Sequence, residues 1–199
     1  MKKILFILMV VLLGCSTNEG KNTPKEFSVY IVSYHNYPEK ELIKLQNDIQ
    51  NCFDTLIPEI TVKVNILNQK VDIPKNCWNH NNSRVRADSL IAYQRKIYSK
   101  DFYVLGVTSK DISTTCHNIQ DWGVLGLSYC PGKSSVVSNH RISNKSLFYK
   151  VATHELLHAF GLSHCKNNDR SCYICDANKI PQLEKQVRLC PDCLNKLTI

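Results

Sequence analysis

Residues 154–164 read His-Glu-Leu-Leu-His-Ala-Phe-Gly-Leu-Ser-His, and no other segment constrains the fold so tightly. Histidines four apart on a helix sit about 40° apart around its axis, so His154 and His158 share a face and can meet one ion. His164 would lie roughly 15 Å along the axis from His154 on a continued helix, too far for zinc bonds near 2.1 Å. The chain therefore has to turn, and Gly161, which adopts positive φ at low cost, stands where the turn is needed. Three imidazoles leave a fourth zinc position for water, which marks a catalytic rather than a closed structural site. Glu155, next to the first ligand, is the candidate general base. It would take a proton from zinc-bound water as that water attacks a carbonyl and deliver it to the leaving amine.

Apolar periodicity divides the rest into alternating strands and helices, so the fold class is α/β: a small mixed sheet packed with helices. Phe27 to Tyr34 suits a first strand. Pro38 opens a helix through Leu42, Leu45, Ile49, Phe53 and Leu56, and Ile60, Val62, Val64 and Ile66 alternate as in a half-buried strand. Ser83 is the expected cap of a second helix reaching about Tyr98, and the apolar run Phe102 to Val107 reads as a central strand. Trp122 to Tyr129 and Ser134 to Ser138 are further strands, and a helix from about Ser146 to Phe160 carries the histidines.

Ten cysteines need an account. By spacing alone, Cys172-Tyr-Ile-Cys175 and Cys190-Pro-Asp-Cys193 form a pair of zinc knuckles, and Cys165 directly after His164 competes, so five thiols contend for four places around an ion. Disulfides are the competing state if the protein is exported. Cys52, Cys77, Cys116 and Cys130 stand outside this group and are expected to be disulfide partners. His35, His80, His117 and His140 are isolated, and no role is assigned to them.

The first residues point to export. Lys2 and Lys3 precede the apolar run Ile4 to Leu13, about half the length that spans a bilayer core. Leu12-Leu13-Gly14-Cys15 resembles the lipobox of bacterial lipoproteins, which implies a signal peptide over 1–14, a lipid on Cys15, a polar tether over 15–26 and one catalytic domain over 27–199. Localisation is then on a bacterial membrane, at the periplasmic face or the cell surface. The formal charge is +8; loss of Lys2 and Lys3 leaves 23 basic residues against 17 acidic ones, scattered singly. Scattered charge of this kind excludes a dedicated nucleic-acid surface.

The long zinc motif resembles that of the metzincin peptidases, and Cys165 after its last histidine narrows the resemblance to the archaemetzincins. Leu105-Gly106-Val107-Thr108-Ser109-Lys110-Asp111-Ile112, Ser135 to Ser138 before Arg141-Ile142, and the downstream cysteines are similar to that family's segments in order, over about residues 84 to 193. The resemblance implies a monomeric zinc metallopeptidase acting on a peptide or protein. It implies two zinc ions: a catalytic one on His154, His158 and His164, with Glu155 as base, and a structural one on Cys165, Cys172, Cys190 and Cys193, with Cys175 as the alternative ligand. It also places the cleft-rim strand near Trp122 to Tyr129, where an extended substrate could add as a further strand. One departure stands out: Ile174 occupies the place of the methionine that forms the turn beneath the zinc. That departure motivates the alternative reading, a membrane-anchored zinc scaffold or binding protein without turnover.

Overall fold

The computed structural model describes residues 26–98, 100–167, 169–176 and 182–198. The leader and Cys15 lie outside the described residues. Strands β1 (Glu26–Tyr34), β2 (Thr61–Val71), β4 (Tyr103–Thr108), β7 (Gly126–Ser128) and β8 (Ser134–Ser138) form a five-stranded sheet in the order β2-β1-β4-β8-β7. Its first four members run parallel and β7 runs antiparallel at one edge. A second sheet, β3-β5-β6, joins β3 (Val85–Arg86), β5 (Ile112–Cys116) and β6 (Ile119–Val124).

Helix α1 (Glu39–Leu56) buries Leu42, Leu45, Ile49 and Phe53, one stripe at helical spacing. It covers one face of the large sheet together with α3 (Phe148–Ala159), against Val29, Ile31, Leu105, Val107 and Val137. The neighbouring positions Val32, Val104 and Val136 point the other way and pack under α2 (Ala87–Ile97). This alternation is why the parallel strands read as apolar runs: helices cover both faces. Phe160, just past α3, stacks on Phe27 at 4.2 Å between centroids and fixes the end of that helix to β1.

Four parts of the fold depart from the sequence reading. Ser83 does not cap α2: its N–H and that of Arg84 donate to the Asn79 side chain, Val85 pairs with Ile112 in β3, and the helix starts only at Ala87. Trp122 to Tyr129 is not one strand. The chain changes sheets at Leu125, leaving β6 paired with β5 and β7 paired with β8. The C-terminal helix α4 (Pro191–Thr198) and the strand β5 were not anticipated, because Thr-rich and Cys-rich stretches carry no apolar period.

Gln94 ties α2 to the sheet by donating to the Ser134 hydroxyl at 2.6 Å and to the Ser135 carbonyl at 3.1 Å. A Cβ at Gly106 would overlap the Gln94 Oε1 atom and come within 3.2 Å of its Cδ. Gly106→Ala is expected to break these bonds and cost about 1–3 kcal/mol, lowering the midpoint of thermal unfolding by roughly 5 °C; calorimetry of the variant checks it, and an unchanged midpoint would contradict this packing.

Candidate metal centre

Helix α3 presents His154 and His158 one turn apart, and their rings lie edge to face at 4.7 Å. The helix stops because Gly161 takes φ of +112°, a conformation that a side chain resists. The Gly161 N–H donates to the His158 carbonyl at 2.9 Å, and the chain doubles back. The turn does two things. It brings the His164 Nε2 to 3.2 Å from that of His158, and it places the Leu162 carbonyl where it accepts the His158 Nδ1–H at 2.6 Å. His154 donates from its Nδ1 to the Tyr173 carbonyl at 2.7 Å, and its Nε2 lies 3.1 Å from that of His158.

These bonds decide the tautomers. With each Nδ1–H given to a carbonyl, His154 and His158 turn bare Nε2 lone pairs toward each other. Burial pushes His154 down to about 3 and His158 down to about 4, so both are neutral and able to ligate. Nitrogens about 2.1 Å from a tetrahedral zinc stand about 3.4 Å apart, close to the separations here. His164 is the exposed member of the three, so the open side of the set faces solvent.

Glu155 follows His154 on the helix and is buried, 8% exposed, which pushes its carboxyl up to about 8. A cation at the three imidazoles would oppose that shift. Its side chain lies against Gly126 of the edge strand, where a Cβ would stand 2.5 Å from Cγ and 2.7 Å from Oε1. The Ser135 hydroxyl donates to the Glu155 carbonyl at 3.3 Å and joins the helix to β8.

The thiols of Cys165, Cys172, Cys190 and Cys193 form a second group, all buried, with their sulfur atoms within 4.8 Å of one another. Cys165 and Cys190 are 3.7 Å apart, as sulfurs about 2.3 Å from a tetrahedral zinc would be. The Cys190 N–H donates to the Cys172 sulfur, and the Asn167 amide donates to the Cys190 sulfur. Cys175 is left out, its thiol directed to the Asp176 carbonyl. No disulfide joins the described cysteines. Cys52, Cys77, Cys116 and Cys130, expected as disulfide partners, are free thiols in four separate parts of the chain. Ile174 is fully buried among Leu156, Leu157 and Cys172, and its carbonyl accepts the Cys165 N–H at 2.9 Å.

The sequence reading missed the carbonyls of Leu162 and Tyr173, because a backbone acceptor leaves no residue signature. It also missed Gly126, although a glycine inside a strand marks a close approach of other atoms.

Residues 39–199 match the model of peptidase family M54. The chain is 30% identical over 130 residues to the archaemetzincin of Nanoarchaeum equitans, covering 65% of this chain and 71% of that protein. It is 27% identical over 162 residues to the archaemetzincin of Methanopyrus kandleri, covering 78% of this chain and 89% of the relative. The crystal structure of the Methanopyrus kandleri archaemetzincin superposes with a TM-score of 0.70 at 23% identity, over 86% of this chain and 93% of the other. The archaemetzincin of Archaeoglobus fulgidus complexed with malonate gives 0.66 at 23% identity, over 85% and 99%. At such identities the superpositions show the shared fold.

Replacing one clustered thiol should cost one metal ion: Cys190→Ser is expected to lower bound zinc by about one per chain, whereas Cys175→Ser leaves it unchanged. Elemental analysis of the two purified variants distinguishes them, and equal losses would contradict the selection of four thiols from five.

Proposed function

Because the chain belongs to peptidase family M54 and is a zinc metallopeptidase, we propose that His154, His158 and His164 hold its catalytic zinc and that Glu155 is the general base. We propose a second, structural zinc on Cys165, Cys172, Cys190 and Cys193. The observation that carries the catalytic reading is the meeting of three Nε2 atoms at the end of a helix on which Glu155, next to His154, packs its buried side chain against the edge strand.

Zinc held there would polarise the substrate carbonyl and lower the pKa of a water in its open fourth position. The chain's residues supply the rest. Strand β7 uses one side to pair with β8 and ends the sheet, so an extended peptide can lie along its other side as a further strand. That arrangement sets the scissile carbonyl next to Glu155, whose side chain fills the space Gly126 leaves. Glu155 takes the proton of the attacking water as oxygen bonds to carbon. When the C–N bond breaks, it passes that proton to the departing nitrogen, yielding an acid and an amine. The carbonyls of Tyr173 and Leu162 keep the two imidazoles from rotating during turnover.

The alternative of a scaffold without turnover rested on Ile174; the side chain is fully buried, and in our reading an apolar isoleucine can fill the place of the methionine. Glu155→Gln is expected to retain zinc while peptide cleavage falls about 10²–10⁴-fold; product mapping by mass spectrometry beside metal analysis checks this, and undiminished cleavage would remove Glu155 from the mechanism.

We propose further that the protein is exported as a monomer and anchored to a bacterial membrane by a lipid on Cys15, a reading supported by Lys2, Lys3, the run Ile4 to Leu13 and Leu12-Leu13-Gly14-Cys15. Among the described residues no helix is long and apolar enough to cross a membrane. Cys15→Ala is expected to move the protein from the detergent phase to the aqueous phase on Triton X-114 partitioning, and partitioning that ignores the substitution would contradict the anchor.

A further inference from the structure

Resting on the peptidase reading, we propose that a polar cleft at the carboxyl ends of β4 and β8 reads a carboxylate of the substrate, with the Lys110 ammonium as its cation. The cleft encloses about 580 Å³, and Asn79, Arg84, Lys110, Asp111, Asp121 and His140 are among its walls. Lys110 follows β4 and His140 follows β8, so it opens at the carboxyl ends of two adjacent parallel strands. Ligand crevices of open α/β sheets form at such ends, where loops diverge.

Three residues of the cleft wall, Arg84, Asp111 and Asp121, belong to a lattice of ion pairs. Asp111 accepts Arg141 through both oxygens, at 2.6 and 2.7 Å, and Arg84 at 2.8 Å. Asp121 accepts Arg86 at 3.1 Å, and Arg86 also holds Asp88 at 2.7 Å. Each carboxylate of the lattice thus has a guanidinium. Lys110 is half-buried in the wall, its carbonyl fixed by the Ser138 hydroxyl at 2.6 Å. No ion pair among the described residues uses its ammonium. The cleft therefore carries an ammonium with no carboxylate paired to it among the described residues, within walls built of fixed charges and amides, and a substrate carboxylate would supply that partner.

The lattice is also tied to the catalytic rim. The Arg141 guanidinium lies flat on Gly123 of β6, with its Nε 2.7 Å from where a Cβ would be. Gly126, on the same segment, touches Glu155. Three residues of chain reach at most about 11 Å, so a peptide lying along this rim passes the cleft about two or three residues from the bond being cut. The matching group is a carboxylate, from an aspartate or glutamate side chain or from the free C-terminus of a short substrate.

The test gives the zinc-loaded, full-length protein one peptide in three forms: neutral and amidated, the same with a glutamate walked through positions flanking the cut, and the neutral sequence with a free C-terminal carboxylate. One acidic form should show a kcat/KM about fivefold or more above the neutral one, and which form does so identifies the source of the carboxylate. Lys110→Gln should bring that ratio close to one, and Lys110→Arg should restore it. Equal values for all three forms, or a ratio that survives Lys110→Gln, would overturn the proposal. Fluorescence anisotropy with zinc-loaded Glu155→Gln separates the two readings. Charge-dependent Kd values without cleavage by the unaltered protein would leave the carboxylate site standing and remove the peptidase reading, whereas cleavage with a ratio of one does the reverse.

Discussion

The bend at Gly161 is the constraint on which the histidine centre hangs. A helix can offer two imidazoles to one point but not a third ten residues away, so the backbone has to leave the helical path between His158 and His164. It does so at φ of +112°, where a side chain would cost of order 1–3 kcal/mol. The same turn returns the Leu162 carbonyl to the His158 ring. Geometry and protonation are thus set together, since the bond that orients the ring also fixes which nitrogen is bare. Neutral nitrogens facing one another across 3.1 Å gain nothing from their contact, and a cation among them turns that arrangement into a stable one.

The thiol cluster and the histidine centre are joined through backbone rather than side chains. His164 and Cys165 are neighbours in sequence, one from each group. On the other strand of the connection, Tyr173 and Ile174 are also neighbours: the Tyr173 carbonyl holds His154 and the Ile174 carbonyl holds the Cys165 amide. A zinc ion among the four thiols would thereby stiffen the turn that carries His164 and the loop that carries Tyr173. Lys150 adds a tie from α3, donating from its buried ammonium to the carbonyls of Leu183 and Gln186. A short chain gains from this, because the described residues after α3 hold only the short helices Leu183–Lys185 and Pro191–Thr198.

How much was legible follows from what kind of signal each feature leaves. The helix stripe of Leu42, Leu45, Ile49 and Phe53 and the runs around β1, β4 and β8 were readable because burial imposes a period on side chains. The histidines and Gly161 were readable because ligand chemistry restricts residue type, whereas spacing left five cysteines for four places and only the family resemblance selected among them. The split of residues 122–129 between two sheets was not, since it depends on which strand each half pairs with. Nor was the late start of α2, where the Val85 amide that a Ser83 cap would accept donates instead to the Asp111 carbonyl beside a short strand. The match to family M54 begins at residue 39, well upstream of residue 84, where the segments that carry the resemblance begin.

Anomalous diffraction at the zinc edge from crystals of the zinc-loaded protein tests the central claim most directly. A peak is expected about 2.0–2.1 Å from the Nε2 atoms of His154, His158 and His164, with a side open to solvent. A structure in which His164 points away from that peak, or in which zinc is found only among the thiols, would contradict it.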